Sequence, residues 1–372
     1  MTHRHAFEAL DKSLRDILSL HDPKARTLRF GGKTVLLGGD FREILPVIPQ
    51  GTRADIVFAS ISHSYLWESC HKFTLHKNMR LSEDEKEFSN YVLRVGDGNP
   101  LPTEVNEFDE DEEDQLISID RTAILTPRNE TVDEINEYMI SEADGVSKEY
   151  LSSDSFGIID TDFENNETLY PVEYLNSLSF PGLPAHKLTF KVGASFMLLR
   201  NLNQKKGLCN GTPLIVTYLG ERVIRGEIIT GSHIGHKVDL PRITLSESVT
   251  KHSFTLERRQ FPIRLCYAMK INKSQSQSLK GVVLYLPQPV FTHGQLYVGL
   301  SRVTTKSGLK IIQGNDQKIG RVKNIVYKEI YNGLPHLPGN PILFATQYTP
   351  LSKNTKLLTL SPPESQSDDH PE

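Results

Sequence analysis

The chain has 372 residues and a formal net charge of −4, so any nucleic-acid site must be a local basic patch rather than a polycationic surface. A hydrophobic fraction of 38% with 24% charged residues suits two or more globular domains, and no run of 18 apolar residues offers a membrane span. Cys70, Cys209 and Cys266 are odd in number and far apart. They give neither metal spacing nor a disulfide framework, and they fit a reducing intracellular compartment. The polar and basic start after Met1 carries no secretory signal.

Phe7, Leu10, Leu14, Ile17 and Leu18 fall at helical spacing, which predicts an amphipathic helix over Phe7 to Leu20, ended by Asp22-Pro23. Gly32-Lys33-Thr34 matches the end of the phosphate-loop pattern G-x-x-x-x-G-K-[ST], but Thr27 stands where the first glycine belongs. The pattern occurs nowhere else in these 372 residues. Val35-Leu36-Leu37 follows, so the segment reads as a turn feeding a short buried strand, Thr34 to Leu37, with Gly38-Gly39-Asp40 as the next turn. Ser60 to Cys70 reads as helix, Lys72 to Leu75 as a possible strand, and Ser82 to Val95 as helix. Thr103 to Asp114 carries eight acidic residues and no basic one, which suits a solvated linker.

Ala123 to Leu125 is a predicted strand, and Thr131 with Glu134 three later has the spacing of a capping box at the start of a helix. That is α/β grammar. From Lys187 to Ile243 short β-rich runs alternate with Gly, Asn and Pro turns, as in a small antiparallel barrel inserted into the α/β chain. After Phe261 the α/β grammar returns: "QSLKGVVLYLP" reads as helix into strand, "GQLYVGLSRV" as helix and "GLKII" as a last strand. The polar, Pro-rich end reads as disordered.

Three constellations could carry chemistry. Gly39, Asp40 and Glu43 lie in "GGDFRE", where a carboxylate at a strand end would point into a ligand crevice; the alternative is a capping aspartate in a turn. Arg258 to Lys273 holds five Lys or Arg and no acid, and Lys187 to Lys206 another five. Together they suggest an electropositive groove for a nucleic-acid strand, or else a solvated surface. Asn272, Lys273, Ser274 and Gln275 precede a predicted helix start, whose backbone N–H groups suit a phosphate. Arg302, late in a helix, and Arg80 are each either surface residues or arginine fingers that stabilise a transferring γ-phosphoryl group. The scattered histidines offer no metal spacing.

These residues place the sequence close to a known family. "FEALDKSLRDI", "FGGKTVLLGGDFREILPVI", "LHKNMRL", "RTAILTPRNETVDEIN", "RRQFPIRLCYAMKINKSQSQSL" and "PVFTHGQLYVGLSRVT" resemble, in order, segments of the petite-integration-frequency (Pif-type) ATP-dependent DNA helicases, with a Helitron-transposon-like cast. The resemblance implies two RecA-like domains with ATP and Mg2+ between them and an SH3-like barrel inserted in the second. It divides the chain into a first RecA-like remnant (1–80), a helix and acidic linker (81–120), the second RecA-like domain (121–186 and 259–335), the barrel (187–258) and a tail (336–372). It implies that Asp40 and Glu43 face the γ-phosphate, that Arg80 and Arg302 supply positive charge to it, and that Asn272, Lys273, Ser274, Gln275 and His293 serve the DNA side. Gln295 shares a motif with His293.

Four departures from the family pattern matter. The resemblance places the phosphate loop and the Asp-Glu magnesium motif ahead of residue 1, so these 372 residues alone are expected to hydrolyse ATP negligibly. Glu43 stands where the family has glutamine, and a carboxylate there repels a γ-phosphate unless it is protonated or paired. Ser276 replaces a glycine, at a cost if the backbone needs positive φ, and Lys270 replaces a threonine. The expected activity is 5′ to 3′ translocation on single-stranded DNA and unwinding at duplex junctions, in repair, recombination, telomere maintenance or transposition, in the nucleus if the source is eukaryotic. The alternatives are a non-catalytic single-stranded-DNA-binding remnant and a transposon-derived product that does not fold.

Overall fold

A computed structural model describes residues 1–73, 75, 78–99, 122–158, 171–180, 182–248, 254–314 and 322–332. The acidic stretch 103–114 and the tail 336–372 lie outside the described residues. The chain divides into two compact units: Met1–Asn129 with the described residues from Lys270 on, and Glu130–Met269.

In chain order the first unit begins with α1 (Arg4–Ser19), α2 (Arg53–Phe58), α3 (Lys86–Gly96) and β1 (Thr122–Thr126). The second unit contains most of α4 (Asn129–Glu142), then β2 (Lys148–Leu151), β3 (Ser153–Ile158), α5 (Val172–Ser177), β4 (Lys187–Phe190) and β5 (Ser195–Leu198). It continues with β6 (Pro213–Leu219), β7 (Val223–Ile228), β8 (Lys237–Pro241), β9 (Ile243–Ser248), β10 (Phe254–Gln260) and β11 (Ile263–Leu265). After β12 (Ala268–Lys270) the chain re-enters the first unit with β13 (Gly281–Leu286), α6 (Gln295–Leu300) and β14 (Leu309–Gln313).

In the first unit β1, β13 and β14 run parallel, with Thr122 opposite Gly281 and Val282 opposite Leu309. Val282 and Leu284 are completely buried, as the near-continuous apolar runs of parallel strands require. α1 is pinned by a polar contact rather than by its apolar stripe. Asp11 is its one buried residue, and it accepts hydrogen bonds from the Phe30 N–H, the Tyr65 hydroxyl and Arg15. Burial pushes the Asp11 carboxyl up, but these donors outweigh it and hold the group below its ordinary value. A second core joins Leu45, Val57 and Ile330.

The second unit is mainly antiparallel. One sheet has the order β11-β5-β6-β7-β8, another β3-β10-β9, and β2 pairs with β4. The β-rich character expected of 187–243 holds and extends to Leu265. Arg258, fully buried on β10, anchors this unit. Its guanidinium grips Asp154 on β3 with Nη2 to Oδ2 at 2.7 Å and Nε to Oδ1 at 3.0 Å. It also donates to the carbonyls of Leu175, Leu178 and Pro184. Arg258 is therefore withdrawn from the basic surface expected of 258–273. Within the same unit Lys187 pairs with Glu149 at 2.6 Å and Arg264 with Asp133, so much of the positive charge is matched locally.

Four local expectations are corrected. Thr34 to Leu37 forms no strand: Leu36 is 89% exposed, and among the described residues no strand pairs with it. Ser60 to Cys70 forms two 3-10 turns, Ile61–His63 and Trp67–Ser69, in place of one helix. Thr131 lies inside α4, which starts at Asn129, and so caps nothing. No helix leads into β13. Instead a 3-10 turn, Ile271–Ser274, is followed by Ser276 at φ 65°, a backbone state that stops helix propagation.

Replacing Asp154 by Asn leaves the buried Arg258 charge uncompensated. We expect urea denaturation of D154N to show a loss of about 3–5 kcal/mol. A loss within the few tenths typical of an exposed pair would contradict the anchoring role.

Candidate nucleotide and nucleic-acid site

The loop around "GGDFRE" meets α3, α6 and the Ile271–Ser274 turn, all within the first unit. Asp40 builds a tight turn by accepting the Arg42 N–H at 2.9 Å on Oδ1. Its Oδ2 accepts the Tyr297 hydroxyl at 2.6 Å from α6. Burial and the Asp40 charge push the Tyr297 phenol far up, so the hydroxyl keeps its proton and donates. Arg42 donates through Nε to Asp97 at the end of α3, at 2.7 Å. Burial works against its charge, but Asp97 and Asp40 more than offset that and raise its pKa. Gly39 is exposed, with open space where a side chain would sit.

Glycine is required where these elements touch. Gly294, the N-cap of α6, has φ 71°, and a Cβ there would stand 2.3 Å from the Arg42 carbonyl oxygen. Gly96, at the end of α3, leaves room for the Arg42 side chain and the Tyr297 ring, which a Cβ would meet at 2.6 and 2.8 Å.

Arg302 lies just beyond α6 and is 1% exposed, a different place from the helix surface its sequence position suggests. Its Nη2 donates to Glu43 Oε1 at 2.9 Å and to Ser301 Oγ at 2.6 Å. Nε donates to the Val298 carbonyl at 2.9 Å, and Nη1 to the carbonyls of Ser274 and Gln277 at 3.3 and 3.4 Å. Burial, then the charge of Arg80, lowers the Arg302 pKa; Glu43 opposes both. Arg80 donates to Ser278 Oγ at 2.9 Å and to the Ser301 carbonyl. The two arginines thus meet at Ser301, and the Glu43 carboxylate faces one of them.

Glu43 is therefore paired, the condition under which a carboxylate can be tolerated at this position. Its second oxygen accepts from Gln275 Nε2 at 3.3 Å. Asn272 accepts from Gln295 at 3.2 Å, and Lys273 is exposed. Ser274 is buried, with its hydroxyl donating to Ile271 at 2.7 Å. Ser276 does adopt positive φ, at a cost of roughly 1–2 kcal/mol relative to a glycine.

His293, expected on the DNA side, is held inside the first unit. It is fully buried, Nδ1 accepts the Tyr327 N–H at 2.8 Å, and Nε2 donates to the Phe41 carbonyl at 2.8 Å. With both nitrogens engaged, it clamps the loop after Asp40 to the 322–332 segment. Tyr297 and Asp97, which position Asp40 and Arg42, were not singled out from the sequence. The one available signal for Tyr297 was a hydroxyl among the apolar residues of α6.

Burial lowers the His293 pKa below its ordinary value of about 6.5, with the Phe41 bond and nearby carboxylates opposing. The folded chain therefore holds it neutral while the unfolded chain protonates it. Its contribution is complete above about 6.5 and is lost as pH falls from there toward the folded value. We expect the midpoint of thermal unfolding to fall between pH 7 and 5, with a smaller fall in His293→Gln. Equal pH slopes in the two proteins would contradict the buried neutral state.

Residues 1–106 match the PIF1-like helicase family and residues 173–219 match the DNA helicase Pif1 2B domain. The ATP-dependent DNA helicase PIF1 of Danio rerio is 26% identical over 84% of this chain and 45% of its own length. The ATP-dependent DNA helicase Pif1 of Bdellovibrio bacteriovorus is 26% identical over 78% of this chain and 61% of its own. The chain spans about half the length of the curated relatives it matches. Bacteroides Pif1 bound to ssDNA superposes with a TM-score of 0.62 at 22% identity, over 84% of this chain and 68% of that one. Pif1 helicase from Candida albicans gives 0.58 at 21%, over 86% and 74%. These likenesses give the chain a RecA-like α/β fold, and over most of its length the chain is similar to the Pif1 helicases.

Proposed function

We propose that this chain carries the γ-phosphate-facing and DNA-coupling side of an ATP-driven DNA helicase that translocates 5′ to 3′ on single-stranded DNA and opens duplex junctions. The observation that carries this reading is convergence. Asp40 and Glu43, Arg80 and Arg302, and the Asn272–Gln275 turn come together in one compact unit, with Gln275 hydrogen-bonded to Glu43 and Arg302 to the Ser274 carbonyl. In this reading Gly39, Asp40 and Glu43 line the phosphate end, and Arg80 and Arg302 supply positive charge. Asn272, Lys273 and Gln275 serve the DNA side, with Ser274 shaping the turn from within and His293 holding the loop.

The domain assignment follows the same reading. Residues 1–80 belong to a first RecA-like domain, 81–120 to a linker, and 121–186 with 259–335 to a second RecA-like domain. Residues 187–258 form an SH3-like insertion, supported by the antiparallel run β4 to β10, and 336–372 a tail. Helicase roles in repair, recombination, telomere maintenance or Helitron-type transposition, and a nuclear location in a eukaryote, belong to the same proposal. No helix among the described residues is long and apolar enough to cross a membrane.

ATP would meet these residues through its γ-phosphate. For Mg2+ the donor set does not fit: among the described residues no three metal-binding side chains cluster, and both Asp40 oxygens are already hydrogen-bonded.

A second reading, single-stranded DNA binding without catalysis, is favoured by the Glu43–Arg302 pair, which already occupies the candidate arginine finger. Both readings require the Lys273 turn to meet phosphate. For Lys273→Ala we expect weaker binding to a single-stranded oligonucleotide and a log K against log salt slope smaller by about 1. Unchanged affinity and slope would remove this turn from the DNA site. We expect ATP hydrolysis by the 372 residues to match that of Arg302→Ala; DNA-stimulated hydrolysis well above that control would contradict the non-catalytic reading.

A further inference from the structure

We infer that the Glu43 carboxylate is a tethered substitute for phosphate, which fills the anion site of Arg302 and links it to the DNA-side turn until a phosphoryl group displaces it. The inference rests on the proposed function and names a regulation of that site. Three observations carry it. The Glu43 side chain splits its two oxygens between two motifs, Oε1 on Arg302 and Oε2 on Gln275, at 2.9 and 3.3 Å. Two guanidiniums, Arg302 and Arg80, converge on Ser301, and the carboxylate of Glu43 pairs with the first. The charge is held, not screened: Arg302 is 1% exposed and donates its remaining hydrogens to Val298, Ser274 and Gln277. A tetrahedral anion arriving at this point offers the same acceptor chemistry with more charge. It would compete for Arg302, release Glu43, and with it free Gln275.

The structure therefore makes arginine access and Gln275 mobility a single event. A glutamine at position 43 would lack the charge that holds Arg302 and would leave the anion site open. In the native chain the site is closed by its own carboxylate, and an incoming phosphoryl group must outbid it.

The test uses the 372-residue protein with inorganic pyrophosphate as probe. In Glu43→Gln, pyrophosphate affinity measured by calorimetry is expected to rise about tenfold or more, the effect of about 1.4 kcal/mol. In the double variant Glu43→Gln, Arg302→Met it returns to the native level. Affinity unchanged in Glu43→Gln, or a rise that persists without Arg302, overturns the inference. A second readout needs no variant. In a nuclear magnetic resonance titration of the native protein, the Arg302 guanidinium and the Gln275 side-chain amide are expected to shift with the same midpoint. An Arg302 shift with an unmoved Gln275 overturns the linkage. Neither readout contains DNA, so loss of oligonucleotide binding would count against the helicase reading and leave this test standing.

Discussion

The buried guanidinium of Arg302 is the constraint around which the first unit is arranged. A charged side chain taken out of water costs several kcal/mol unless paired and fully hydrogen-bonded. Arg302 meets that demand with one carboxylate, one hydroxyl and three carbonyl oxygens. The five acceptors come from three parts of the chain: Glu43 from the N-terminal loop, Val298 from α6 with Ser301 at its C-cap, and Ser274 and Gln277 from the turn before β13. Satisfying one arginine ties together three segments, the first of which lies more than two hundred residues before the other two.

The second unit uses the same device independently. Arg258 is buried against Asp154, with three further carbonyls taking its remaining donors. Asp11 does the reverse in α1, a buried carboxylate satisfied by Arg15, Tyr65 and a backbone N–H. A small apolar cluster of Leu175, Leu183, Leu245 and Leu256 adjoins Arg258, whose guanidinium donates to the Leu175 carbonyl. The units are held by hydrogen-bond demand at particular points as well as by apolar burial, which makes position within them specific.

Much of the architecture was legible from period and composition. α1, β1, β13, α6 and β14 fall where apolar spacing puts them; the strands bury apolar residues in the parallel sheet, whereas α1 buries only Asp11. The β-rich nature of the middle region was legible from its turns. Thr34 to Leu37 was not, since an apolar run specifies a strand only when a neighbour strand pairs with it. The region before β13 reads as helix from its pattern, but Ser276, which stands where the family has glycine, takes up positive φ and stops the helix. Motif residues Asp40, Glu43, Arg80, Arg302 and Gln275 were legible through family resemblance. Their bonding was not. Glu43 and Arg302 stand 259 residues apart, and nothing local to either says that one neutralises the other. The bonding of Tyr297 and His293 was hidden for the same reason: their partners are set by which backbone and carboxylate groups the fold delivers to them.

The most direct measurement of this account is the coupling free energy between Glu43 and Arg302, from a double-mutant cycle of Glu43→Gln, Arg302→Met and the double variant on unfolding free energy. A hydrogen-bonded pair whose arginine is buried predicts a coupling of about 0.5–3 kcal/mol, with the double variant losing less stability than the sum of the two single variants. Additive effects, with a coupling within about 0.3–0.5 kcal/mol of zero, would show that the two side chains do not hold one another and would contradict the arrangement described for this site.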